Sequence, residues 1–277
     1  MEVKRVGEAL GAEILGIDLL DPRDFEIDDI HAALLEHEVV FFRATGLDDD
    51  SQMALAARFG SPSVFPMNEV MGQTQPTLQV IADGPDSRPA TDYWHVDVTW
   101  TEKPPRAAFL RATVVPESGG DTMWGSMTSA YDALSAKMQA FLGELLVHHD
   151  NSSFIEGMEE KLGKEKVAAI ADMLRTSYPG VDHPLIRKHP ENDRRAILWG
   201  GHFMRHIVGL EPDESRTILD FLSRHIDQPR FHVRWQWTPG DLAIWDERTT
   251  VHRGLGDHYP QEREVRRCII DGDRPSG

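Results

Sequence analysis

The segment Trp94-His95-Val96-Asp97-Val98-Thr99 poses the first chemical question. On an extended strand residues i and i+2 share a face, so His95 and Asp97 can both reach one metal ion. Two protein ligands do not make a catalytic site, and a third must come from elsewhere in the chain. A histidine on a distant strand would complete a 2-His-1-carboxylate triad, which holds Fe(II) and leaves coordination positions open. His252 is the best candidate, lying in Trp245-Asp-Glu-Arg-Thr-Thr-Val-His252-Arg-Gly254, past an apolar strand and before a glycine turn. Arg263 and Arg267 follow, four residues apart, and so share one face of the last strand. Same-facing guanidinium groups are costly to bury unless anions pair with them. Their forks suit carboxylates and sulfonates. A metal triad with two inward arginines describes a site for organic anions.

The other reactive side chains read as structural. His202-Phe-Met-Arg-His206 has i, i+4 spacing but no H-E-x-x-H glutamate, and His148 and His149, adjacent on a strand, point to opposite faces. Ser126 lacks a nucleophile-elbow context, Cys268 reads as a small core hydrophobe, and Trp235 and Trp237 as core fillers.

These side chains need a scaffold. The chain has 277 residues, enough for one large domain or two small ones and for a core that needs no disulfide, and it has a single cysteine. The net charge of −17 argues against a nucleic-acid surface, which requires a basic patch. No apolar run is long enough to span a membrane, and Met1-Glu-Val-Lys-Arg-Val does not resemble a secretory signal, so the expected setting is cytoplasmic.

Glycine-punctuated short strands are expected over residues 1–20, a helix over Asp28–Glu38 running into a buried strand Val39–Phe42, and a helix capped at Asp50-Ser51. Leu78–Ile81, Phe231–Trp237, Leu242–Trp245 and Arg263–Ile270 read as strands; Trp94–Phe109 reads as strand, turn, strand. Helical spacing is seen over Ser129–Leu146 and Asp213–Ile226. The helical and heavily charged stretch 155–176 reads as a lid inserted near 151–182 or as a solvated surface helix. Frequent strands in the second half predict one antiparallel sandwich or jelly roll, mainly β with flanking helices. No glycine-rich phosphate loop follows a strand, which disfavours a doubly wound parallel sheet.

With these residues in place, the sequence resembles the taurine dioxygenase family, which includes 2,4-dichlorophenoxyacetate dioxygenase and alkylsulfatase-type members. An ordered series carries the resemblance: Val39-Val-Phe-Phe-Arg43, Ala57-Arg-Phe-Gly60, Trp94-His-Val-Asp-Val-Thr99, Gly119-Gly-Asp-Thr-Met-Trp124, His183-Pro-Leu, Val233-Arg-Trp-Gln-Trp237, Trp245-Asp-Glu-Arg248 and the segment from His252 to Arg267. It implies a double-stranded β-helix (jelly roll) forming one dioxygenase domain over 1–277, with Fe(II), 2-oxoglutarate and O2 as the reactive set. His95, Asp97 and His252 match the iron ligands. Thr122 and Arg263 match the positions that bind the distal carboxylate of 2-oxoglutarate, and Arg267 the arginine that grips the substrate anion. Phe203, in Gly200-Gly-His-Phe203, matches a pocket-lining aromatic residue, and Phe154 is a second candidate.

Taurine-specific members carry a histidine where Phe65 stands and an asparagine where Thr91 stands, so the resemblance implies a less polar pocket and a bulkier or more apolar anion than taurine. It also implies a homo-oligomer. Other readings of the same residues are a zinc hydrolase, which would leave Arg263 and Thr122 without a purpose, a non-catalytic anion-binding jelly roll, and a same-family oxidase or desaturase acting on a carboxylate metabolite.

Overall fold

A computed structural model describes residues 1–277. Two sheets face each other. The larger has seven strands in the order Glu2–Arg5, Ala12–Leu15, Val39–Phe42, Leu242–Asp246, Ala107–Val114, Arg263–Ile270 and Gln79–Asp83; the smaller has His232–Trp235, Thr122–Ser126 and Thr250–Gly254.

Period-2 alternation sorts the central strands between two cores. Val40, Phe42, Phe109, Leu242, Ile244 and Ile270 pack outward against Ile30, Leu34, Leu55 and Phe59 of the helices Asp24–His37 and Asp49–Phe59. Their neighbours Phe41, Leu110, Trp245, Val265 and Ile269 point inward, meeting Trp124, Val233 and Trp235 of the smaller sheet. Phe41 stacks on Trp235 with ring centroids 4.2 Å apart. Because Val265 and Ile269 point between the sheets, the alternating positions Arg263 and Arg267 point there too.

Residues from Met127 to Ile226 form a flanking layer. A three-stranded sheet (Met204–Ile207, Leu146–His149, Val181–Pro184) and the helix Pro212–Ile226 share a core that includes Val147, Leu185, Ile207, Leu222 and Trp94. No helix is long and apolar enough to cross a membrane.

Several boundaries differ from those expected. Ser129–Leu146 is not one helix but Met127–Asp132 and Ala136–Leu142, because the Ser135 hydroxyl accepts from the Met138 amide and starts a new helix. The second helix is capped by Asp48, whose carboxylate accepts from the Ser51 amide, two residues before the expected cap. The charged stretch is two helices, Ser152–Leu162 and Lys164–Ser177, parted at Gly163, whose φ of +88° interrupts the helix. Their buried residues Ile155, Ala171 and Leu174 join Val98, Trp100 and Phe203 in a separate apolar cluster.

Candidate active site

His95 and His252 are cross-strand partners in an isolated antiparallel bridge. His95 N donates to His252 O at 3.1 Å and His252 N to His95 O at 2.9 Å, with ring centroids 4.3 Å apart. The segment after His95 is not the strand the i, i+2 argument assumed. The chain turns, placing Asp97 in the turn and Val98 at φ +42°, a costly conformation for a β-branched residue. The Val98 carbonyl is fixed there by the Thr101 amide and hydroxyl, both at 3.0 Å. Asp97 therefore meets the histidines through a strained turn rather than a shared strand face.

The three residues are buried, and their ligand atoms lie within 4.8 Å of one another. His95 Nδ1 donates to the Tyr93 carbonyl at 2.9 Å, which leaves Nε2 with its lone pair 3.7 Å from Asp97 Oδ1. His252 Nε2 lies 3.9 Å from the same oxygen. Atoms bound about 2.1 Å from a common ion stand no more than about 4.2 Å apart, so these separations fit a shared ion. Burial lowers both imidazole pKa values and holds the rings in the neutral, ligating form. For Asp97, burial acts upward, but Arg267 and then the histidines outweigh it and hold the carboxyl at about 2. Two neutral imidazoles and one carboxylate are the donor set of a non-haem iron triad.

Both arginines reach the inter-sheet space. Arg263 donates from Nε to the Gly120 carbonyl at 2.8 Å and from Nη2 to Thr122 Oγ1 at 3.3 Å. Thr122 Oγ1 also accepts from Trp237 Nε1 at 3.0 Å, so its own hydrogen remains available to an anion. A small cavity joins Thr122, Arg263, Thr91, Arg267 and His252. Arg267 donates from Nη1 to both Asp97 oxygens at 2.7 Å, while its Nε and Nη2 are held by Gln79 Oε1 at 3.0 and 2.8 Å. The residue expected to grip substrate thus also neutralises a metal ligand. The edge strand supports both arginines in register, with Asp83 opposite Arg263 and Gln79 opposite Arg267.

The expected pocket residues divide into two groups. Phe65 and Phe154 meet edge-to-face at 5.9 Å, Phe154 lies 6.0 Å from Trp100, and Phe203 packs in the same cluster as Val98. The Arg267 guanidinium sits 5.9 Å from the Phe65 ring centroid. Thr91 is elsewhere, on the arginine cavity, its carbonyl accepting from Gly254 N at 3.1 Å.

Sequence reasoning did not single out Tyr93, Gln79 and Glu247, and it read His202 as a packing histidine. Tyr93 and His202 stack at 4.0 Å beside the triad, and burial followed by the charge of Asp97 pushes the Tyr93 hydroxyl up to about 12. The Gly200-Gly201 pair places His202 there. At φ +59°, a Cβ on Gly201 would stand 2.4 Å from the Trp94 carbonyl, so only glycine lets this turn approach the His95 segment. Gln79 had no local signal, since its role arises from strand register.

The sequence model of the taurine catabolism dioxygenase TauD, TfdA family matches residues 2–269. The chain belongs to this family. Among the TauD/TfdA relatives, an alpha-ketoglutarate-dependent sulfate ester dioxygenase from Pseudomonas putida is 35% identical, the match covering 100% of this chain and 91% of that protein. An alkylsulfatase from Acinetobacter baylyi is 32% identical, with 100% and 87% covered. A crystal structure of a taurine dioxygenase from Burkholderia xenovorans superposes with a TM-score of 0.82 at 32% identity, covering 100% of this chain and 92% of that one. The jelly roll expected from strand spacing is thus the fold of this TauD/TfdA member.

Proposed function

We propose that this TauD/TfdA family member is an Fe(II)- and 2-oxoglutarate-dependent dioxygenase that hydroxylates a small organic anion with an apolar body. Sulfate esters are the first class to test, with sulfonates and aryloxyalkanoates next. The observation that carries this reading is the bridged His95–His252 pair closed by Asp97, with two arginines of one strand aimed at it. His95, Asp97 and His252 would hold the iron, and Arg263 with the Thr122 hydroxyl would hold the distal carboxylate of 2-oxoglutarate. Fixing that end orients the cosubstrate before reaction. Arg267, tethered by Gln79 through Nε and Nη2 and lying on Asp97 through Nη1, would offer its uncommitted Nη2 hydrogen and its charge to the substrate anion. Phe65, Phe154 and Phe203 would bury the apolar body and exclude water. When bound, the iron supplies O2 activation and substrate oxidation, coupled to conversion of 2-oxoglutarate to succinate and CO2. Hydroxylation at the carbon bearing a sulfate ester would release sulfate and leave an aldehyde.

The likeness to the sulfate ester dioxygenase and the alkylsulfatase supports the first substrate class. A cytoplasmic homo-oligomer and a covering role for 151–182 belong to the same proposal. The test mixes metal-free protein anaerobically with Fe(II) and 2-oxoglutarate and records the visible charge-transfer band of the chelate. The expected band is lost in His95→Ala and weakened in Arg263→Ala, after which alkyl sulfates should stimulate succinate release more than taurine does. Folded protein that gives no band would overturn the reading.

A further inference from the structure

Glu247 follows Asp246 in the bend between the strands Leu242–Asp246 and Thr250–Gly254, and is 1% exposed. A carboxylate so placed is expensive unless its oxygens are engaged. Its backbone is pinned by donation from Glu247 N to the Arg106 carbonyl at 3.0 Å. Oε1 accepts from the Trp245 indole at 2.8 Å, and Oε2 accepts from the Asp97 backbone amide at 3.2 Å. Oε1 also stands 3.9 Å from His252 Nδ1, a buried nitrogen with no hydrogen-bond partner. One carboxylate therefore addresses two members of the triad, Asp97 through its main chain and His252 through the ring nitrogen that faces away from Asp97.

We infer that Glu247 is a positioning residue of the metal centre: its carboxylate holds the strained Asp97 turn and orients the His252 ring, and thereby sets the affinity for metal. The inference rests on the reading of His95, Asp97 and His252 as metal ligands. It does not make Glu247 a ligand. Outer partners that fix a ligand are worth about 10- to 100-fold in metal affinity; here the direct hydrogen bond runs to the Asp97 amide, and Oε1 acts on the His252 ring through its charge at 3.9 Å. Nothing else in the fold needs a carboxylate here, since the Trp245 indole asks only for one acceptor.

The amide variant is the sharper probe. Glu247→Gln keeps the shape but offers one acceptor oxygen and one NH2, while the indole and the Asp97 amide both require acceptors, so one donor must face another. Metal-free parent, Glu247→Gln and Glu247→Ala are titrated with Mn(II) alone, without cosubstrate, and free Mn(II) is read by electron paramagnetic resonance. The Co(II) d–d spectrum of each reports ligand geometry, and near-UV circular dichroism identifies folded protein. Weakening of about 10-fold for the glutamine variant and up to about 100-fold for the alanine variant is expected, with a shifted Co(II) spectrum in both. If the alanine variant does not fold, the glutamine variant decides. Folded Glu247→Gln that binds Mn(II) as tightly as the parent, with an unchanged Co(II) spectrum, overturns the inference alone. A parent that takes up no metal overturns it together with the functional reading.

Discussion

With Nε committed to the Gly120 carbonyl and Nη2 to the Thr122 hydroxyl, Arg263 is oriented before any anion arrives. A buried charge-assisted hydrogen bond contributes about 1.5–3 kcal/mol. Arg263→Ala should therefore raise KM for 2-oxoglutarate roughly 10- to 100-fold. Mn(II) affinity should be unchanged, because the triad does not contact Arg263. Arg263→Lys should recover little, since an ammonium cannot reproduce the fork that reaches Gly120 and Thr122 together. Succinate formation against cosubstrate concentration measures both, and an unchanged KM would remove Arg263 from the cosubstrate site. The arginine was legible because its residue type and its even spacing from Arg267 carry chemistry, and the triad because its residue types suit one metal ion. Gln79 and Glu247 were not, because each gains its role from a partner distant in sequence: Gln79 from Arg267, and Glu247 from Asp97.

At the scale of elements, strands were easier to foresee than the turns that do the positioning. Leu242–Asp246 and Arg263–Ile270 alternate between two buried faces, and that alternation is written in residue type. The segment around Asp97 has the composition of a strand but turns at Val98, because its amides are claimed by other segments: His95 N by His252 and Val96 N by Trp199. The turn at Gly200-Gly201 packs directly against it. Gly201→Ala places a methyl group 2.4 Å from the Trp94 carbonyl at φ +59°, and should cost about 1–3 kcal/mol in urea denaturation. Metal affinity should fall as well, because the same methyl group would stand 3.1 Å from His95 Cβ. An unchanged midpoint would mean that this turn can retreat freely.

Across the whole molecule, one buried carboxylate ties three separate segments together. Glu38, at the end of the first helix, accepts from Arg194 Nη1 at 3.0 Å and from the Thr128 hydroxyl, joining the large sheet's outer layer to the flanking layer. Burial pushes its pKa up from 4.5 to about 7, although Thr128 and Arg194 act to lower it. A raised folded-state pKa means that the native protein holds the proton more tightly than the unfolded chain. The associated stability is complete below about pH 4.5 and is lost as pH rises through 7. Relative to Glu38→Gln, the parent should lose up to about 3 kcal/mol between pH 4.5 and 8, the equivalent of the shift at about 1.4 kcal/mol per unit. Denaturation of the two proteins at several pH values checks this, and a difference independent of pH would refute it.

Residue types and their spacing pointed to the β-rich fold and to two arginines on one face of the last strand, and they nominated His95, Asp97 and His252, with the family resemblance carrying the match to iron ligands. The strands and the arginine pair follow from local periodicity, which is written in residue type. Only the tertiary structure decided that Asp97 reaches the histidines from a turn, that Arg267 lies on Asp97, that Thr91 stands apart from the phenylalanines, and that Glu247 stands behind two ligands. The polar contacts among them reach about 150 to 190 positions along the chain, as with Asp97 to Glu247, Asp97 to Arg267 and Gln79 to Arg267. Contacts at such range follow from how strands pair and where turns cross, and no local pattern in the chain encodes them.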